Sequence, residues 1–175
     1  GLRSLSREPV SYQREFWTGK EHFKVFVARN PLVRALSAYL EKKHEYQLPS
    51  SFERFVSQHL TPDKRSNIGE PVLGDNHWWP QTELCESPAE VHYDFIAHVE
   101  TRSQWMPKLF GLLGIEEAAA SGWGKDRSGS FSEAAGISRE TQAHNLTKLA
   151  AHYTGAAFTH AACFYQQDIE LLGYE

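Results

Sequence analysis

The stretch from Phe23 to Tyr39 constrains this chain more than any other. Phe23-Lys24-Val25-Phe26-Val27-Ala28 is rich in aromatic and β-branched residues and reads as a buried strand. It stops at Arg29-Asn30-Pro31. Asn30 is a good N-cap, and Pro31, with no N–H to lose, is a good first helical residue. A helix follows to about Tyr46, with Leu32, Ala35, Leu36, Tyr39 and Leu40 on one face. A strand running straight into a capped helix presents free N–H groups and a positive dipole end at the carboxyl end of the strand, where α/β folds bind ligands. Arg29 adds a guanidinium fork suited to a phosphate, and Ser37, two helical turns on, returns a hydroxyl to a related face. The alternative is a plain strand-to-helix connection with solvated arginines.

Downstream of Pro49, Ser50-x-x-Glu53 has the spacing of a capping box for a second helix, whose apolar face is Phe52, Phe55, Val56 and Leu60. Residues 61–90 show no period, contain four prolines and read as a long ordered loop. Tyr93 to Val99 reads as a second strand. A helix from about Ser103 carries Trp105, Met106, Leu109, Phe110, Leu112 and Leu113, tolerates Pro107 near its start and stops at Gly114. Residues 116–136 read as a Gly/Ser-rich mobile linker, followed by a helix from Ser138 to about Tyr153 and another from Phe158 to Leu172 that ends at Gly173. Residues 12–17 could form a short amphipathic helix. The mixture argues for an α/β fold with a parallel sheet.

At 175 residues the chain suits a single domain, residues 1–175, able to bury a core without metals or disulfides. A net charge of −4 excludes the global basic field that nucleic acid or a polyanionic glycan would need, so any anion site is local. Cys85 and Cys163 are too far apart for a C-x-x-C site, and either one disulfide or two buried free thiols fits them. No apolar run reaches membrane-spanning length. The chain begins at Gly1 with a polar stretch and is expected to be a piece of a longer protein.

Arg29-x-Pro31-x-x-Arg34-x-x-Ser37-x-Tyr39 resembles the 3′-phosphate-binding motif of carbohydrate sulfotransferases that use 3′-phosphoadenosine 5′-phosphosulfate (PAPS). The similarity is to the Golgi group that includes the HNK-1, chondroitin 4-O and dermatan 4-O sulfotransferases. Three further stretches match it in order. They are His77-Trp78-Trp79-Pro80-Gln81…Leu84-Cys85, then Tyr93-Asp94-Phe95-Ile96…Glu100-Thr101, then Tyr165-x-x-Asp168…Leu172-Gly173-Tyr174. Asn30 stands where that group often has an acidic residue or histidine, which leaves the cap intact. The group's second cysteine after the one matching Cys85 is replaced here by Ser87-Pro88-Ala89. Nothing in residues 1–22 matches its phosphosulfate-binding loop.

The resemblance implies a P-loop-like PAPS-dependent sulfotransferase fold with a parallel sheet, incomplete at the N-terminus. It implies sulfuryl transfer from PAPS, as co-substrate and without metal, to a glycan or proteoglycan hydroxyl, with Arg29 and Ser37 holding the 3′-phosphate. Such a parent would be a type II membrane protein of the Golgi lumen, attached only through an N-terminal anchor not present here. There, the Asn145-Leu146-Thr147 sequon could be glycosylated. His77 is the first candidate for the base that takes the acceptor's proton, because imidazole titrates near working pH. Glu100 is the second. Trp78 and Trp79 could lay an apolar face on a sugar ring, or could simply pin the loop to the core. Arg34, Lys42 and Lys43 read as a solvated helix face, and His44, His92 and His98 as structural or surface residues. The chain alone is expected to bind the far phosphate without catalysing transfer. The rival reading is a non-catalytic glycan- or nucleotide-binding relative of the same fold.

Overall fold

Val25–Ala28 forms strand β1 and Phe95–His98 forms β2, paired in parallel with Val25 opposite Phe95 and Ala28 opposite His98. The computed structural model describes residues 8–61, 77–84, 86–117 and 147–174. Both strands are shorter than their apolar runs. The Lys24 N–H goes to the Asp94 carboxylate at 2.8 Å, and the Lys24 carbonyl accepts from both Asp94 and Phe95, so the ladder starts only at Val25. Phe23 is left exposed.

Parallel pairing requires a crossover, and helices supply it. Before the sheet lies α1 (Val10–Thr18); after β1 come α2 (Pro31–Lys42) and α3 (Phe52–His59), then α4 (Gln81–Leu84). A 3-10 turn (Val99–Thr101) leaves β2 and leads into α5 (Arg102–Leu113), which places Pro107 in the second turn. Residues 147–152 are helical (α6), followed by α7 (Gly155–Phe164) and α8 (Gln166–Leu172).

The ends of these helices follow local chemistry. Asn30 Oδ1 accepts the N–H groups of Leu32 and Val33 at 3.0 and 3.1 Å, with Pro31 at the first helical position. α2 ends at Lys42 rather than near Tyr46, because residues 43–47 turn and Gln47 sits at φ 50°, outside helical space. Ser51, not Ser50, caps α3, its hydroxyl accepting from Arg54 N–H at 3.3 Å. Ser50 instead lends its carbonyl to the Tyr39 hydroxyl at 3.1 Å. Gly114 (φ 64°) and Gly173 (φ 70°) close α5 and α8 in the left-handed conformation that glycine takes at little cost. The helix expected over Phe158–Leu172 begins earlier, on the Thr154 cap, and breaks at Tyr165, whose hydroxyl donates to the Trp78 carbonyl. The linker expected over 116–136, the Ser138 cap and Asn145 lie outside the described residues apart from 116 and 117.

The larger core joins α2, α3 and α7 through Leu36, Tyr39, Phe52, Phe55, Ala161 and Phe164, with Trp78 and Tyr165 closing it. A smaller cluster of Phe26, Ala28, Tyr93 and Leu172 packs on one face of the sheet, backed by Trp17 and Tyr174. Leu40, expected on the buried face of α2, is exposed. Cys163 is free and exposed rather than buried, and Cys85 lies outside the described residues.

Candidate functional site

Arg29 follows the last residue of β1, and the register sets it beside the turn that leaves β2. Its backbone is gripped by one side chain. Arg29 N–H donates to Gln81 Oε1 at 2.9 Å, and Gln81 Nε2 donates to the Arg29 carbonyl at 2.7 Å. The next N–H, from Asn30, donates to Glu100 Oε1 at 2.7 Å, and the Tyr174 hydroxyl donates to Glu100 Oε2 at 3.2 Å. Burial first, and then the Glu100 charge, push the Tyr174 phenol far above its ordinary pKa, so it remains a donor.

A cleft of about 320 Å³ opens beside this junction. Arg29 and Ser37 both line it, with Lys148 of α6 as a second cation and Glu41 as one carboxylate. The apolar walls are Val33, Leu36, Leu40 and Leu149. Positions 33, 36, 37 and 40 form one helical stripe of α2 along the cleft, with Leu36 shared between the cleft wall and the core that Ala35 and Tyr39 enter. Among the described residues the Arg29 guanidinium and the Ser37 hydroxyl have no hydrogen-bond or ion-pair partner. An unused fork of donors, a hydroxyl and an ammonium around one space can hold a multiply charged oxyanion. Tyr153, whose hydroxyl donates to the Leu32 carbonyl at 2.9 Å, fastens the end of α6 to the first turn of α2.

None of the other candidates lines this cleft. His77 is exposed, with its Nε2 3.5 Å from the Tyr46 hydroxyl, and no contact joins it to Arg29 or Ser37 among the described residues. Both oxygens of Glu100 are engaged, as above, in holding the turn. Trp78 and Trp79 retain 2% and 7% of their surface. Trp78 meets Phe55, His59 and Tyr46 edge-on, and Trp79 meets Phe164, so neither ring has the open face that stacking on a sugar requires. Arg34, read as part of a solvated face, donates from Nη1 to the Trp79 carbonyl. His98 is structural, its Nε2 donating to the Leu172 carbonyl at 2.6 Å. Among the described residues no group of three His, Cys, Asp or Glu side chains could hold a metal ion.

Sequence reasoning attached no role to Gln81, Thr82, Asp168 or Tyr174, nor any to Lys148. Asp168 is fully buried and accepts three hydrogen bonds, from Gln81 N–H at 2.7 Å, Thr82 N–H at 2.9 Å and the Thr82 hydroxyl at 2.7 Å. The available signal was a polar residue inside each matched stretch, Gln81 in one and Asp168 in another. Only the fold pairs them.

The sulfotransferase family model matches residues 6–175. Carbohydrate sulfotransferase 14 of Mus musculus is 27% identical, over 57% of this chain and 29% of its own length. Carbohydrate sulfotransferase 10 of Xenopus laevis is 27% identical over 54% of this chain, and the human protein of that name 26% over 55%, each across 34% of its own length. The chain thus spans about a third of the length of the curated relatives it matches. No solved structure gives a significant match. With four ordered motifs converging on one strand-to-helix junction and a family model covering nearly its whole length, the chain belongs to the sulfotransferase family.

Proposed function

We propose that the whole protein transfers a sulfuryl group from PAPS to a carbohydrate hydroxyl, and that Arg29 and Ser37 hold the 3′-phosphate of the donor. The observation that carries this reading is the pair itself, a guanidinium and a hydroxyl that have no hydrogen-bond or ion-pair partner among the described residues, on one cleft at the carboxyl end of a parallel strand. The donor set fits a phosphate, since the guanidinium is a fork and the hydroxyl a single adjustable donor. Lys148 adds a point charge, and Val33, Leu40 and Leu149 offer apolar surface to the nucleoside. The carbohydrate acceptor is taken from the names of the relatives.

In the reaction the acceptor oxygen attacks sulfur, a new O–S bond forms, and the bond from sulfur to the phosphate oxygen breaks, releasing 3′-phosphoadenosine 5′-phosphate. The acceptor proton goes to a base, for which His77 is our candidate because its ring is open to solvent. A grip on the far phosphate serves the ground and transition states alike, so Arg29 and Ser37 act mainly on binding and register rather than on the chemical step. A PAPS-dependent, P-loop-like fold and a Golgi-lumenal location belong to the same proposal. No helix among the described residues is long and apolar enough to cross a membrane.

The test uses the whole protein that carries this chain. Calorimetric titration with 3′-phosphoadenosine 5′-phosphate should show a loss of about 1.5–3 kcal/mol for Arg29→Ala. Unchanged affinity removes the assignment. Assay with labelled PAPS and chondroitin, dermatan and glucuronyl acceptors then separates an enzyme from a non-catalytic relative, which would bind nucleotide without turnover. In that assay His77→Gln should lower kcat and leave nucleotide affinity intact.

A further inference from the structure

We propose that Gln81 is a positioning residue for Arg29, held in turn by Asp168, so that the loop stretch around Pro80 and the closing stretch around Asp168 serve the phosphate anchor. This inference rests on the reading of Arg29 as the 3′-phosphate ligand.

β1 ends at Ala28, so the peptide groups on either side of Arg29 have no ladder to join. Gln81 stands in for a neighbouring strand. Its amide accepts from Arg29 N–H and donates to the Arg29 carbonyl, at 2.9 and 2.7 Å. Fixing both peptide groups fixes the direction in which the Arg29 side chain leaves the backbone. A guanidinium on a flexible stem then has fewer orientations to lose when it meets an anion.

Gln81 is itself immobilised. It is 8% exposed, its own N–H ends on Asp168 Oδ2 at 2.7 Å, and Asp168 is fully buried with Thr82 completing its contacts. The carboxylate comes from α8, the amide from α4 and the arginine from the end of β1. A glutamine fits this place because only a carboxamide is donor and acceptor at one planar end. A methionine of similar length offers neither strong group. A glutamate keeps the acceptor but sets a charge against the Arg29 carbonyl, unless it is protonated.

The experiment compares the wild-type whole protein with Gln81→Met, Gln81→Glu and Arg29→Ala. The readout is the ratio of affinities for 3′-phosphoadenosine 5′-phosphate and for adenosine 5′-phosphate, with Tm measured alongside. A purely structural role changes Tm and scales both affinities together, whereas a positioning role lowers the ratio. Arg29→Ala should abolish the preference for the 3′-phosphate. Gln81→Met should lower that preference about tenfold, through the bisphosphate alone. Gln81→Glu should match Gln81→Met near pH 8 and recover part of the preference near about pH 5, relative to wild type at each pH, as the buried carboxyl takes up a proton and donates to the Arg29 carbonyl. Should Gln81→Met fail to fold, the pH pair on Gln81→Glu decides alone. A wild-type ratio in Gln81→Met, or in Gln81→Glu at both pH values, alongside a lost ratio in Arg29→Ala, overturns the positioning role and leaves the phosphate reading standing. A wild-type ratio in Arg29→Ala overturns both.

Discussion

The carboxylate of Asp168 takes the backbone N–H of Gln81 at 2.7 Å, tying α8 to α4 across 87 residues of chain. With the Thr82 N–H and hydroxyl it has three donors and, among the described residues, no ion-pair partner. A buried ion held by dipoles alone leaves every one of those donors stranded if it is removed.

Asp168→Ala is therefore expected to cost at least about 3 kcal/mol of folding stability, from three donors left buried without an acceptor. Chemical denaturation of the whole protein measures it. A cost below about 1 kcal/mol would mean that water replaces the carboxylate and that the clasp contributes little.

Trp78 provides a separate check on whether the loop tryptophans are core or ligand surface. Trp78→Ala should cost about 3–5 kcal/mol, as expected for emptying a fully packed aromatic site. The milder Trp78→Phe should lower Tm while leaving the acceptor KM unchanged. A raised acceptor KM at unchanged Tm would instead return the ring to the sugar site.

Tyr174 makes stability fall in alkali. Burial and Glu100 raise its pKa above the ordinary 10.0, and burial alone raises that of Tyr153. Above that ordinary value the unfolded chain loses phenolic protons that the folded chain keeps, so stability is complete below pH 10 and declines as pH rises beyond it. Tm should be level up to about pH 9 and drop toward pH 11. Tyr174→Phe should be less stable at neutral pH, having lost the bond to Glu100, yet decline less steeply in alkali. Parallel curves for the two proteins would count against a retained phenolic proton.

Lys148 is exposed, so its contribution to anion binding is screened. Lys148→Ala should raise the Kd for 3′-phosphoadenosine 5′-phosphate about threefold at low ionic strength. The difference should fade toward about 0.5 M salt. A salt-independent effect would indicate that the substitution displaces α6 rather than removing a charge.

The junction at Arg29 was legible in the sequence because everything that shapes it is local. The apolar run into Ala28, the Asn30 cap, Pro31 and the two-turn spacing to Ser37 lie within 15 residues of one another, and the structure places Arg29 and Ser37 on one cleft. The family was legible for a related reason, since four short stretches in order are a property of the chain alone. Hydrophobic periodicity also placed α2, α3 and α5, although ends shifted where a cap or a backbone turn decided them, as with Ser51 in place of Ser50 and the positive φ at Gln47. By contrast, α4 lies in a stretch read as loop, and the helix expected over Phe158–Leu172 is two.

What the tertiary structure decided is the work done by residues whose partners are remote. Nothing near Gln81 in the sequence says that its amide closes on Arg29, 52 residues back, or that Glu100 meets Asn30 across 70. The same ambiguity hid the two tryptophans, because an aromatic ring in a loop suits a ligand face or a core equally well until the packing of α3 and α7 around it is known. Local sequence sets which groups can hydrogen-bond or be buried. Which of them do is a matter of long-range packing, which brings β1, α4 and α8 to one point and leaves Arg29, Ser37 and Lys148 facing the same space.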